Sequence, residues 1–297
     1  MNAALRDIVG IIEFFGEFNQ KVAVHRIPVI FCFFDSMNGM FYQFFICLGL
    51  IFVSCEVVSD PVVAPDSAEY PARSEEIEQD SIKGVKNAAV TSGYMKAFGL
   101  VDILNVDPTI RVDLRYASSN NFMGHVLYDT LNALYLQEDV AERIAKCQVY
   151  LQSKFASYSL LIYDGVRPLQ VQREMWNALD TVPVALRGKF VSNPSYGSVH
   201  NFGAAVDLTI CDSKGIPLDM GAGYDDFREL ASPSMEWKFI QSGELTEQHI
   251  TNRKLLREVM TSQGFRNIPS EWWHFNACSR ANAAAKYRKL IYESGVR

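Results

Sequence analysis

The chain has no surplus of basic charge: 28 Lys and Arg stand against 34 Asp and Glu over 297 residues, a formal net charge of −6. The acidic excess belongs to the N-terminal third, and residues 93–297 carry 22 charges of each sign. A neutral main body offers no electrostatic footprint for a phosphate backbone, which argues against a nucleic-acid partner. Cysteines number only six and none stands in a CxxC pair, which argues against a thiolate zinc finger. Histidines are scarcer still, at five, and no internal repeat is visible. With 48% hydrophobic and 21% charged residues, what remains is a globular composition, not that of a disordered, collagen-like or multi-span membrane chain.

The uncharged, mostly apolar stretch 41–53 falls short of the roughly 20 residues a membrane helix needs and fits the apolar core of a signal peptide. It ends in Val53-Ser54-Cys55, a lipobox-like sequence in which Cys55 would be lipidated and become the mature N-terminus, with Met37 or Met40 as alternative starts. The competing reading is a single membrane anchor from about Pro28 to Ser54. Either places the remainder outside the cytoplasm, periplasmic or tethered to the membrane through Cys55; without a signal the protein would be cytoplasmic. Residues 56–92 are acidic and rich in Pro and Ser, which is the composition of a flexible linker. The chain therefore divides into a targeting segment at 1–55, a linker at 56–92 and a single domain at 93–297.

Within that domain, Ile110, Val112 and Leu114 alternate with charged residues as in a half-buried strand. Residues 138–155 place Val140, Ile144, Cys147, Leu151 and Phe155 on one helical face. Ser159 to Tyr163 predicts a short buried strand, the residues after Pro168 a helix, and 180–203 a loop region. In the strand expected at Ala204 to Ile210, Ala204, Val206, Leu208 and Ile210 face a core while Ala205, Asp207 and Thr209 face away. Further helices are expected over 252–263, ended by Gly264, and from about 281 to 293. Cys211 and Cys278 each follow a candidate metal ligand by four residues, which invites a disulfide, although two buried free thiols are the favoured reading.

Two of the histidines keep unusual company, in Ser198-Val199-His200-Asn201-Phe202-Gly203-Ala204-Ala205-Val206-Asp207 and in Glu271-Trp272-Trp273-His274-Phe275. Two imidazoles and a carboxylate, His200, Asp207 and His274, are the ligand set of a catalytic zinc with one open position. His200 and Asp207 are seven apart and would oppose each other on a straight strand, so a turn at Phe202-Gly203 is required. Glu271 precedes His274 by three positions, which would align them on one helical turn and oppose them on a straight strand; the two tryptophans suggest an extended segment, so a bend or bulge is expected there. Zinc lowers the pKa of water toward about 7, and Glu271 is the candidate to take the proton and deliver it to the leaving amine. Arg167, in Asp164-Gly165-Val166-Arg167-Pro168, is a fixed cation able to stabilise a developing oxyanion. His125 and His249 read as a solvent-facing turn residue and a helix-start residue, and neither is nominated as a ligand.

Together, SxHxxGxAxD at 198–207, EWWH at 271–274 and DGxRP at 164–168 resemble the VanX-type D-alanyl-D-alanine dipeptidases, which are zinc metallopeptidases. Further likeness lies in Asp113 to Ala117, Asn121 to Gly124 and Met220 to Asp225, so the resemblance runs from about residue 110 to 276. It implies an α+β fold, a single compact domain whose central, mainly antiparallel sheet carries the zinc site and is flanked by helices. It implies one zinc per chain on His200, Asp207 and His274, with Glu271 and Arg167 as catalytic residues. It also implies that Tyr116, Ser198 and Asp225 line the substrate site, Asp225 holding the dipeptide's ammonium. Val166, where the family often has an aromatic residue, and the N-terminal extension are departures that bear on substrate preference and role. Hydrolysis of D-alanyl-D-alanine is the leading expectation. Its rivals are a related peptidoglycan D,D- or L,D-carboxypeptidase or endopeptidase, and a zinc-stabilised binding domain without activity.

Overall fold

Leu160 and Ile162 alternate with Leu161 and Tyr163 in a run too short and too apolar for a surface helix, and they form the strand on which the architecture rests. The structure, a computed structural model, describes residues 91–293; the apolar stretch 41–53, Cys55 and the acidic segment up to residue 90 lie outside the described residues. Seven strands are present among them: β1 (Leu100–Asp102), β2 (Arg111–Val112), β3 (Tyr135–Gln137), β4 (Ser159–Asp164), β5 (Ala205–Cys211), β6 (Arg266–Ile268) and β7 (Glu271–Asn276). The principal helices are α1 (Glu138–Lys154), α2 (Leu169–Ala178), α3 (Glu236–Ser242), α4 (Glu247–Thr261) and α5 (Arg280–Lys286). β1 and β3 form a small antiparallel pair, and the main sheet has the order β2-β4-β5-β7-β6. Only β2 and β4 run parallel, so the fold is α+β with a mainly antiparallel sheet and flanking helices.

Ile144, Cys147 and Leu151 of α1 pack in one cluster with Leu256, Val259 and Met260 of α4 and with Leu160, Ile162, Val206, Leu208, Ile210 and Phe275 of the sheet. Each such side chain contributes about 1.5–3 kcal/mol by leaving water. A second cluster, containing Tyr116, Tyr128, Tyr135, Val166, Val171 and Met175, lies beside the segments that build the candidate site. β5 is the middle strand, and all seven of its residues are buried. The alternation expected there therefore decides which face each residue takes, not which residues meet water.

Several boundaries differ from the sequence expectation. Only Arg111 and Val112 join the ladder near residue 110, because the chain turns into a 3₁₀ helix at Arg115–Ala117. Phe155 ends α1 and is 43% exposed instead of completing its apolar stripe. α4 begins at Glu247, five residues early, because Thr246 caps it and exchanges hydrogen bonds with His249. The last helix stops at Lys286; beyond it the chain is extended, and the Leu290 amide donates to the Asn201 carbonyl while the Leu290 carbonyl accepts from the Leu169 amide. Cys147, Cys211 and Cys278 are free thiols, so no disulfide links the latter two.

Candidate active site

Antiparallel pairing of β5 with β7 sets Asp207 directly opposite His274, and pairing of β4 with β5 sets Asp164 opposite Asp207 on the other side. Directly opposed residues share a face of the sheet, so these three polar side chains form one row across three strands. Asp164 joins the row only because the β4–β5 register shifts between Ile162 and Asp164, which reverses the alternation for one residue.

His200 reaches the same row from a 3₁₀ turn, Val199–Phe202. The Ser198 Oγ accepts from the His200 amide at 3.3 Å, and the Ser198 amide donates to Asn201 Oδ1 at 2.7 Å. Gly203 closes the turn at φ +65°, and a Cβ there would collide with Leu100 Cδ2. No other residue type meets both demands, which is why the turn expected at Phe202-Gly203 forms.

β7 bulges as its spacing requires. Its register with β6 shifts between Asn267 and Ile268, so that Phe275 pairs with Asn267 and Glu271 with Ile268. The Asn267 side chain holds the irregular stretch, its Nδ2 donating to the Glu271 carbonyl at 2.9 Å and the His274 carbonyl at 2.8 Å. Glu271 Oε2 then lies 3.7 Å from His274 Nδ1, on the same side of the strand.

Three donor atoms converge. His274 Nδ1 is 3.0 Å from Asp207 Oδ1, His200 Nε2 is 3.1 Å from His274 Nδ1, and His200 Nε2 is 3.2 Å from Asp207 Oδ1. Edges of that length fit a four-coordinate divalent ion with bonds of about 2.0–2.1 Å. The outer nitrogens are occupied in a way that turns the inner lone pairs toward that point: His200 Nδ1 lies 2.7 Å from the Gly165 carbonyl, and His274 Nε2 lies 3.1 Å from Asn276 Oδ1. All three residues are buried. Burial alone would push the Asp207 carboxyl up, but His200 and His274 hold it well below the usual carboxylate range. The set therefore fits a resident cation on donor chemistry and spacing alike.

Arg167 stands beside it. Its Nε and Nη2 donate to Asp164 Oδ2 at 2.8 and 2.6 Å, and Nη2 reaches Asp207 Oδ2 at 3.3 Å. Asp164 is wholly buried and also accepts from the Tyr128 hydroxyl at 2.5 Å. Burial opposes the guanidinium charge, but Asp164, Tyr116, Asp207 and Tyr128 together outweigh it and the cation is held firmly. The Tyr224 hydroxyl donates to Asp207 Oδ2 at 3.1 Å, fixing the carboxylate from its other oxygen. Burial raises the Glu271 carboxyl above the ordinary glutamate value, and Asp207 adds to the shift.

The donor triangle, Arg167 and Glu271 line a cavity of about 220 Å³, small beside common ligand sites. All eight residues nominated from the sequence reach it: Tyr116, Arg167, Ser198, His200, Asp207, Asp225, Glu271 and His274. Asp225 adopts φ +59° and accepts from the Tyr116 hydroxyl at 3.1 Å through Oδ1, while its buried Oδ2 has no protein partner. Burial, followed by the charge of Asp207, pushes its carboxyl up to about 8. Val166 is absent from the lining and packs with Val171 and Met175, so this departure from the family does not touch the cavity. His125 is exposed on its turn beside Glu174, and His249 pairs with Asp219 at the start of α4. The sequence does not mark the supporting groups: register brings Asp164 and Asn267 to the site, Tyr128 and Tyr224 reach it from loops, and Asn276 meets His274 along β7.

Residues 96–293 match the family described as D-ala-D-ala dipeptidase. One relative, a D-alanyl-D-alanine dipeptidase of Escherichia coli K12, is 35% identical over 176 residues, covering 59% of this chain and 83% of its own length. A second, of the same description and from Synechocystis, is 28% identical over 176 residues, 50% of this chain and 71% of its own. Among solved structures, an LD-carboxypeptidase, LdcB, studied for peptidoglycan recognition, is similar at 16% identity and a TM-score of 0.35, covering 63% of this chain and 71% of that one.

Proposed function

Because the chain belongs to the D-alanyl-D-alanine dipeptidase family of metal-dependent peptidases, we propose that it hydrolyses D-alanyl-D-alanine to two D-alanines, with His200, Asp207 and His274 holding one zinc ion. The observation that carries this reading is the meeting of that donor triangle with Glu271 and Arg167 in one small cavity. Two imidazoles and one carboxylate suit zinc among the common divalent ions. When bound, such an ion supplies Lewis-acid activation of water and of the scissile carbonyl.

The protein's own groups divide the remaining work. Glu271, with its proton affinity raised by burial, accepts the proton of the attacking water and passes it to the leaving amine. Arg167 faces the charge that develops on the carbonyl oxygen, and Asp164 keeps its guanidinium from rotating away. Asp225, beside the Tyr116 hydroxyl, accepts the substrate ammonium, and Ser198 offers its hydroxyl from the opposite turn. The Asp225 carboxyl has one oxygen without a protein partner, able to accept from an ammonium whose charge would favour the ionised form.

That assignment predicts loss of turnover on N-acetyl-D-alanyl-D-alanine, because acylation removes the charge that Asp225 receives and adds bulk to a small cavity. We expect kcat/KM to fall at least about a hundredfold relative to the free dipeptide. Equal turnover of the two would contradict the dipeptidase assignment and favour an enzyme that trims longer wall peptides.

A further inference from the structure

A dipeptide in this cavity carries two charges, and the assignment above accounts for one. A carboxylate taken out of water without a cation is strongly disfavoured. Arg167 is already committed to Asp164 and Asp207. The other arginine on the cavity wall is Arg280. It opens α5 only four residues after β7 ends, so the strand that carries Glu271 and His274 also positions it.

Its guanidinium has no carboxylate partner among the described residues. Nη1 makes one long hydrogen bond, 3.5 Å to the Gly197 carbonyl, and the group lies 5.7 Å from the centroid of the Tyr196 ring. A guanidinium has five N–H donors, so most of the fork is free for a bidentate ligand. Gly197 precedes Ser198, and both line the cavity with Arg280 and Asn276. The charge therefore stands at the exposed rim of the wall formed by Gly197, Ser198 and the end of β7. Asp225 enters from a different segment, beside Tyr116.

We infer that Arg280 binds the free C-terminal carboxylate of the substrate and makes the enzyme selective for dipeptides over C-terminally amidated ones. This rests on the dipeptidase reading. The test is steady-state hydrolysis of D-alanyl-D-alanine and of its C-terminal amide by the metal-loaded full-length protein, alongside its Arg280→Ala and Arg280→Lys variants. For a substrate turned over slowly, the inhibition constant against the free dipeptide replaces KM. Arg280→Ala should raise KM for the acid about tenfold, leave kcat within about twofold, and leave the amide unaffected. Arg280→Lys should recover part of the loss for the acid alone. No change with the acid, or an equal change with acid and amide, would overturn the assignment. A wild-type protein silent toward both substrates would instead overturn the dipeptidase reading, and the carboxylate clamp with it.

Discussion

His200, Asp207, His274, Glu271 and Arg167 are legible in the sequence because their chemistry is unusual wherever it occurs: two histidines of five, each within a few residues of a carboxylate. What supports them is not legible. Asp164 stands in a motif that draws the eye to Arg167, yet its role depends on lying opposite Asp207 after a register shift. Tyr224 and Asn276 are unremarkable until the fold sets a hydroxyl from the 221–225 turn on Asp207, and the extended β7 backbone sets the Asn276 side chain beside His274 two residues away. Asp225 shows the same dependence in its energetics. With its carboxyl pushed up to about 8, against about 3.9 when unfolded, the folded state holds a proton that the unfolded chain lacks between those values. Stability is therefore lost as pH rises from about 4 to about 8. Asp225→Asn, which tolerates the same positive φ, should match the wild type at pH 4 and exceed it by roughly 1–3 kcal/mol at pH 8. The same change should raise KM for the dipeptide by ten- to a hundredfold. Denaturant melts at the two pH values, with kinetics on the same samples, check both parts; a variant less stable than wild type at pH 8 would contradict the first.

At the scale of elements, the interiors of β4, β5, α1 and α2 follow from hydrophobic period, whereas their ends and neighbours do not. α4 starts early because the polar first turn Glu247-Gln248 has no apolar rhythm, and only the exchange between Thr246 and His249 marks it. α5 ends early because the residues after it pair with the turn that carries His200. That turn is where local geometry and chemistry meet. Gly203→Ala forces a Cβ into Leu100 at a left-handed φ, and should cost about 2 kcal/mol or more. Because His200 rides on the same turn, metal affinity should fall about ten- to a hundredfold. Gly223, whose added Cβ would meet nothing, serves as the control and should be nearly neutral. Thermal melts and a competitive metal titration of both variants test this, and a Gly203→Ala protein with unchanged metal affinity would contradict it.

At the scale of the whole molecule, the segment carrying Asp225 is fastened from outside the cavity. Buried Arg253 of α4 donates to the Met220 carbonyl at 2.7 Å and the Leu230 carbonyl at 3.0 Å, and the Trp272 indole donates to the Ala222 carbonyl at 3.1 Å. The substrate wall and the metal strand are thus joined through β7 itself, an arrangement invisible to periodicity. Among the described residues no helix is long and apolar enough to cross a membrane. Residues 41–55 carry the proposal of export and lipid anchoring at Cys55, which would bring the enzyme to the compartment where wall peptides are released. Fractionation of cells expressing the wild type and Cys55→Ala separates the possibilities. The lipoprotein proposal expects the first in membranes and the second released; retention of both would indicate a spanning anchor, and release of both would refute tethering.

The central claim is that Glu271 and the His200, Asp207 and His274 triangle form one hydrolytic site for D-alanyl-D-alanine. Its most direct test is the release of free D-alanine by the zinc-loaded full-length protein, measured beside Glu271→Ala with the metal content of both determined. The account predicts turnover by the wild type and a loss of at least about a thousandfold in the variant, with zinc retained by both. Undiminished turnover by the variant, or a zinc-replete wild type that releases no D-alanine, would contradict it.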